Sequence, residues 1–406
     1  MKIRSITYFL NPKWPLDEDR LRQAGEFIAA ARPAIQAAGY TVQTMRLATV
    51  PFLQLISPVE AGGLLQLALS LESAARGLGY DYVSLGPALP EAPASYAWIP
   101  QILTETESVF LAGTMTTPQG GVSMAAVRAC AEVIVQAAGL SADGFANLRF
   151  AALANVPPEA PFFPAAYHAG EQPCFGLATE AADLAVEAFS QRTNLAEARQ
   201  RLIDAVQSHA QALNDVALDL SRRFAIRFAG IDFTLAPFPD AALSFGTAME
   251  RLGAPAVGLH GSLASAAILA DTLDRASFPR AGFNGLMLPA LEDATLARRA
   301  AEGKLTVKDL LLYSAVCGTG LDTIPLPGDT TAEQINAVLL DLAALAQRLD
   351  KPLTARLMPI PGKKAGDSTG FDFPFFANSH VLRLEAEPLG GYLASPETFS
   401  LHPRLP

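Results

Sequence analysis

The strongest constraint on this chain is an alternation. Short apolar runs of strand character are followed repeatedly by longer stretches with helical spacing. ITYFL (6–10), TVQTMRLA, YVSLGP, SVFLAGTM (108–115), LRFAALANV (148–156) and PCFGLAT (173–179) read as strands in the first half. GIDFTLAPF, APAVGLHG, FNGLMLP, LDTIPLP and LTARLMPIP continue the series. Between them lie helical patterns such as LDEDRLRQAGEFIAAARPAIQAAGY, where Pro33 predicts a kink or break. The stretch TNLAEARQRLIDAVQSHAQALNDVALDLSRRFA predicts one long helix or two. About ten strands, most followed by a helix, predict an α/β fold with a parallel sheet, doubly wound or closed into a barrel. Neither a Gly/Ser/Pro linker nor a fixed-period repeat divides the chain. The expectation is a single domain over residues 1–406, ending in an irregular tail at SPETFSLHPRLP.

Charge and composition narrow the function classes. Half of the 406 residues are hydrophobic and 17% are charged, the balance of a packed protein. The net charge of −10, from 30 basic and 40 acidic residues, argues against nucleic acid and anionic membrane as partners. It leaves room for a small anionic ligand in a locally basic pocket. Three dispersed cysteines, Cys130, Cys174 and Cys317, form no CxxC pair and suit a reducing compartment. With no apolar run of signal-peptide or membrane-span length, a cytoplasmic location is expected. A homodimer is compatible with the apolar helices.

In a parallel α/β fold, sites gather at the carboxyl ends of strands. Asp232, in GIDFTLAP, alternates with apolar residues, and a charge on a barrel's inner face must be paired or liganded. Asp322 opens LDTIPLP without any evident capping role, whereas Asp329 at its end suits a turn or a ligand contact. Thr330 and Glu333 have the spacing of a capping box. Lys363 and Lys364 stand between Gly362 and Gly366, where backbone could approach an anion. VGLHGS places His260 and Ser262 at a helix start, an anion position or simply a cap. The Pro-rich, aromatic segment 154–172 carries Asn155, His168 and Glu171, and long irregular segments of this kind are often functional.

Together these residues predict an enzyme acting on a small anionic metabolite. Asp232, Asp322, His260 and His168 would do acid–base work. Asn155, Lys363, Lys364, Asp329 and Ser262 would bind substrate. A divalent metal on Asp232, Asp322 and Glu171 is the cofactor considered, hard cations preferring oxygen ligands. No nucleotide-cofactor motif is present. The competing expectation is a catalytically silent metabolite-binding or regulatory protein.

The motifs VGLHGS, VCGTGLDTIPLPGDT and MPIPGKKAGD, with FLAGTMTTPQGGVSMAAV, AAYHAGE and PALEDATLARRAAEGKLT, resemble those of the uncharacterised group known as PFL family proteins. That resemblance implies a roughly ten-stranded α/β barrel similar to pyruvate formate-lyase-like glycyl radical enzymes. It also implies association with a small ACT-type regulatory protein. Those enzymes carry an Arg-Val-x-Gly-Tyr radical loop. Here EPLGGYLAS has Gly391-Tyr392 without the Arg-Val, so radical chemistry is not expected. The resemblance makes Cys317 a conceivable relic of an active-site thiol, although Gly318 departs from the group's usual C-x-V-G-L-D.

Overall fold

The computed structural model describes residues 1–56, 61–191, 194–316 and 318–403. Cys317 therefore lies outside the described residues. The strands are β1 (Lys2–Leu10), β2 (Val42–Pro51), β3 (Tyr82–Gly86), β4 (Val109–Thr114), β5 (Gly121–Ser123), β6 (Phe150–Ala154), β7 (Cys174–Glu180), β8 (Arg227–Asp232), β9 (Gly320–Pro327), β10 (Leu353–Ile360) and β11 (Thr398–Ser400). Nine of them form one sheet in the order β8-β7-β1-β2-β3-β4-β6-β10-β9. The C-terminal tail, expected to be irregular, carries β11, which pairs antiparallel with β5.

The sheet is mixed, where strand–helix alternation alone predicts a parallel one. β1 through β4 and β6 run parallel, and so do β7 with β8 and β9 with β10. The two sets meet antiparallel at β1/β7 and β6/β10. The cause lies between β6 and β7. A parallel return needs a crossover, usually a helix, but residues 155–173 form no helix. β7 therefore starts near the end where β6 finishes and runs back, pairing Cys174 with Phe9.

Helices follow most strands and bury their apolar stripes on the sheet. The segment after Asn194 forms one helix, Leu195–Phe224. Asn194 caps it by accepting the Glu197 N–H at 3.0 Å. Ala198, Leu202, Val206, Ala210, Leu213, Ala217 and Leu220 are its buried face, at the three-to-four spacing of a helical stripe. The helix Glu18–Ala37 runs through Pro33 without ending. The capping box after β9 is Thr331 with Gln334, one residue beyond the predicted pair. APAVGLHG is a turn and not a strand: Gly258 and Gly261 have φ of +100° and +101°, and a Cβ on Gly258 would lie 1.9 Å from the Lys304 carbonyl oxygen.

The loop 155–173 covers part of the sheet. Ser5 Oγ donates to Pro161 O at 3.3 Å, Ser84 Oγ to Ala166 O at 2.6 Å, and the His168 N–H to Thr49 O at 2.9 Å. Phe162 and Ala165 pack with Ala112, Ala151 and Leu153 in a buried cluster there. FNGLMLP forms no full strand. Its chain makes isolated parallel bridges to β8's continuation (Leu235 with Leu286) and to β9 (Pro289 with Asp322).

Candidate functional site

Three strand arginines lie mostly out of solvent: Arg4 in KIRSITYFL, Arg46 in VQTMRLATVP and Arg356 in LTARLMPI. Burying a charge is expensive unless it is paired and hydrogen-bonded. Arg356 meets that requirement. Its Nε donates to Asp322 Oδ1 at 2.6 Å and its Nη2 to Glu292 Oε1 at 2.7 Å. Glu292 Oε2 accepts from Arg4 Nη2 at 2.8 Å, which joins all four groups in one line.

A backbone irregularity puts Asp322 in that line. The register of β9 on β10 shifts between Ala355 and Leu357, so Asp322 and Thr323 together face Arg356. This is a bulge, a device that re-aims a side chain. Thr323 takes φ of +44°, a value that a β-branched residue rarely adopts. Asp322 is 0% exposed, and its Oδ2 has no hydrogen-bond partner. Next to Glu292, Asp293 is buried and accepts from Ser244 Oγ (2.6 Å) and from the Gly246, Thr295 and Leu296 N–H groups (3.0, 2.9 and 2.9 Å). It thereby ties the starts of helices Phe245–Leu252 and Ala294–Ala301 together, fixing the chain that presents Glu292.

Arg46 differs. It is 8% exposed, and its Nε donates to Thr44 Oγ1 at 2.9 Å. Its guanidinium lies over the Phe163 ring at 5.0 Å and near Tyr82 at 5.9 Å. Among the described residues, no carboxylate lies within ion-pair distance of it. Burial, reinforced by the positive charge of Arg4, holds its pKa well below the ordinary guanidinium value. For Arg356, burial works the same way, but Asp322 and Glu292 overcome it and raise the pKa.

These groups surround a cavity of about 70 Å³, walled by Tyr82, Phe110, Phe163, Phe373 and Phe375 and lined by Arg4, Arg46, Arg356 and Glu292. Arg4 and Arg356 have their carboxylates in Glu292 and Asp322, whereas Arg46 lines the same cavity with none at ion-pair distance among the described residues. A larger hollow of about 690 Å³ lies at the surface between helices Ala294–Ala301, Val307–Tyr313 and Ala332–Leu349 and the chain around 380–389. It touches none of the buried charges, so the chemistry points to the smaller cavity.

The residues expected from sequence fall in several places. Asp322 is in the arginine line. Asp232 ends β8 and is buried, accepting from Thr234 Oγ1 and from the Phe283 and Asn284 N–H groups at 3.1 and 2.9 Å. Burial raises its pKa against these bonds and against the positive charge of Arg4, which links it electrostatically to the same end of the sheet. His260 is exposed in the turn before helix Ser262–Asp274. Ser262 is buried and does not cap that helix; its Oγ donates to Leu259 O at 2.7 Å. Lys363 and Lys364 sit in a turn after β10, Lys363 accepting the Gly328 N–H on its carbonyl at 2.9 Å and Lys364 exposed. Asp329 is exposed in the turn after β9. Asn155 holds the helix Ala332–Leu349: its Nδ2 donates to Ala346 O at 3.1 Å and its Oδ1 accepts from Gln347 at 2.6 Å.

The metal set Asp232, Asp322 and Glu171 does not converge. The Glu171 side chain is 60% exposed and pairs with Lys13 at 2.7 Å and Arg20 at 3.4 Å. His168 and Glu171 share no helical turn, because their segment is irregular. His168 is 1% exposed, with Nδ1 facing Glu159 Oε1 at 3.5 Å. It sits beside the start of β7, whereas Arg4 precedes Phe9, the partner of Cys174, by about 16 Å of strand. The arginines and Glu292 were not singled out from sequence, although a charge inside an apolar strand was the signal that selected Asp232.

Residues 1–377 match the family described as Uncharacterised ACR (DUF711). A UPF0210 protein of Pyrobaculum aerophilum is 33% identical over 84% of this chain and 79% of its own length. The chain belongs to the DUF711 family. A UPF0210 protein of Acetivibrio thermocellus is 29% identical, covering 86% of this chain and 81% of its own. One from Neisseria meningitidis serogroup A is 27% identical over 85% and 80%. The DUF711 match includes β1 through β10 and every charged group of the cavity, and it names no reaction. Among the described residues, no helix is long and apolar enough to cross a membrane.

Proposed function

We propose that this chain binds a small anionic metabolite, carboxylate or phosphate, with the anionic group on Arg46 in the aromatic-walled cavity. The observation that carries the reading is a buried guanidinium without a carboxylate partner, beside two that have one. A planar arginine fork matches carboxylate and phosphate oxygens in a bidentate way. The cavity's size suits a charged head group, with the ligand's body leaving toward Phe373 and Phe375.

Turnover would use the carboxylates already there. Glu292 is the carboxylate that lines the cavity beside Arg46, and it would be the base for proton transfer. His168 and His260 have no part in that chemistry. The competing reading, binding without turnover in a regulatory protein with an ACT-type partner, uses the same cavity. A thermal-shift screen of carboxylates and phosphate esters tests the shared claim: hits should stabilise the wild type and not Arg46→Met. Product analysis on the hits then separates enzyme from binding protein. Stabilisation of both proteins alike would remove the cavity from the account.

We also read the sheet as closing into a ten-stranded barrel like that of pyruvate formate-lyase-like enzymes, with residues 279–290 as the irregular tenth strand. Supporting this are the Leu235 N–H to Gly285 O bond at 3.1 Å on one side and the Ala290 N–H to Asp322 O bond at 3.1 Å on the other. Strong hydrogen-exchange protection at both amides is expected; fast exchange at either would leave the sheet open.

A further inference from the structure

We propose that Glu159, His168 and Cys174 form a zinc site, binding through Oε1, an imidazole nitrogen and Sγ. The three ligand atoms lie within 4.8 Å of one another. Cys174 is fully buried and His168 nearly so. Neither ring nitrogen of His168 has a hydrogen-bond partner. A buried imidazole with both nitrogens unused is rare, because buried polar groups find partners. The 3.5 Å approach of Nδ1 to Glu159 Oε1 is too long to count as one.

The backbone holds the ligands toward a common point. Glu159 takes φ of +66°, unusual for a residue with a side chain, and its N–H is bound by Tyr167 O at 2.7 Å. His168 is anchored by its own N–H on Thr49 O, and Cys174 by the β1/β7 ladder. Arg227 occupies Glu159 Oε2 and leaves Oε1 facing the imidazole. Such outer hydrogen bonds orient ligands in metal sites.

The donor set selects the metal. Sulfur, nitrogen and one carboxylate oxygen suit zinc, not calcium or magnesium. Thiolate and carboxylate together neutralise a divalent ion, which a buried place requires. Tetrahedral zinc needs its ligand atoms roughly 3.4–3.6 Å apart, so the side chains must close by about 1 Å. Three protein ligands leave a fourth position for water or substrate. Burial and the Glu159 charge push the Cys174 thiol up in the metal-free chain, so zinc binding must release that proton. The site shares no ligand group with the arginine cavity, although Phe110 and Phe163 of the cavity wall pack in one buried cluster with Cys174.

The test is cobalt titration of the full chain after chelator treatment, followed by zinc. One equivalent of cobalt should bind with a thiolate-to-cobalt charge-transfer band, which zinc abolishes. The chain has three cysteines, so Cys130→Ser/Cys317→Ser leaves Cys174 as the sole thiol, and the band should persist there. It should vanish in Cys174→Ser, and Glu159→Gln should weaken affinity at least tenfold. No band in the wild type, a band lost in the double variant, or one surviving Cys174→Ser would each overturn the proposal.

Discussion

Replacing Arg46 and Arg356 in turn by methionine should have very unequal consequences, although both are buried arginines of the same cavity. Exchanging a buried ion for an apolar side chain of similar volume is neutral or stabilising, by about 1–4 kcal/mol. For Arg46 that gain is offset by the Thr44 hydrogen bond, worth about 1 kcal/mol. The contact with Phe163 subtracts about 1 kcal/mol more. The net change is about −1 to +2 kcal/mol. Arg356→Met instead leaves Asp322 with no cation and Glu292 with Arg4 alone, at a loss of about 3–5 kcal/mol. An unfolding entropy of about 2.1 cal/mol/K per residue gives about 0.85 kcal/mol/K over 406 residues. Arg46→Met should therefore move Tm by about −1 to +2 °C, and Arg356→Met should lower it by about 4–6 °C. Differential scanning calorimetry on ligand-free protein reads both. If Arg46→Met destabilised as much as Arg356→Met, Arg46 would be a structural ion-pair member and the unmet charge would not exist.

Other substitutions probe how the site is held. Thr323→Gly should raise Tm by about 1–2 °C, because it relieves a φ of +44° and removes a buried hydroxyl without a partner; a lower Tm would mean that the threonine's packing outweighs the strain. Asp293→Ala, which removes the cap of helix Ala294–Ala301 and leaves Ser244 Oγ and the Gly246 N–H of the neighbouring helix start without their acceptor, should cost about 3–4 kcal/mol in urea unfolding, and a loss below about 1 kcal/mol would refute that coupling. Glu250 gives a pH-dependent case. Burial works to raise its pKa, but the Arg299 fork at 2.7 and 2.9 Å, with the Val257 N–H, brings it below the ordinary 4.5. A carboxylate lowered in the folded state stabilises above its unfolded pKa and loses that contribution as pH falls through the folded value. The stability difference between wild type and Glu250→Gln should thus be full near neutrality, begin to shrink as pH falls through 4.5 and vanish only below the lower folded-state value, and a difference independent of pH would refute it.

Periodicity made most strands legible, including β1 through β4, β6, β7, β9 and β10, while for β8 it caught only Gly230–Asp232. It failed at APAVGLHG, where glycines at positive φ override an apolar run. The site was legible only in part, for a topological reason. Looking at carboxyl ends of strands presumes that all strands point one way. With two antiparallel junctions, early residues of β1 and β2 share one end with the last residues of β7 and β8, as the pairing of Lys2 with Glu180 shows. Lys363 and His260 satisfied the carboxyl-end rule and lie in turns, while Arg4 and Arg46 broke it. Asp232 stood out as a charge within an apolar strand, and the same test applied to KIRSITYFL, VQTMRLATVP and LTARLMPI would have found the arginines. The bulge at Asp322 and Thr323 depends on register against β10 and has no local signature.

The most direct measurement is anomalous diffraction from crystals soaked in bromide, for the wild type and Arg46→Met. A bromide peak is expected against the Arg46 guanidinium, inside the ring of Tyr82, Phe110 and Phe163, and absent in the variant. An empty cavity, with bromide at the Lys363–Lys364 turn instead, would contradict it.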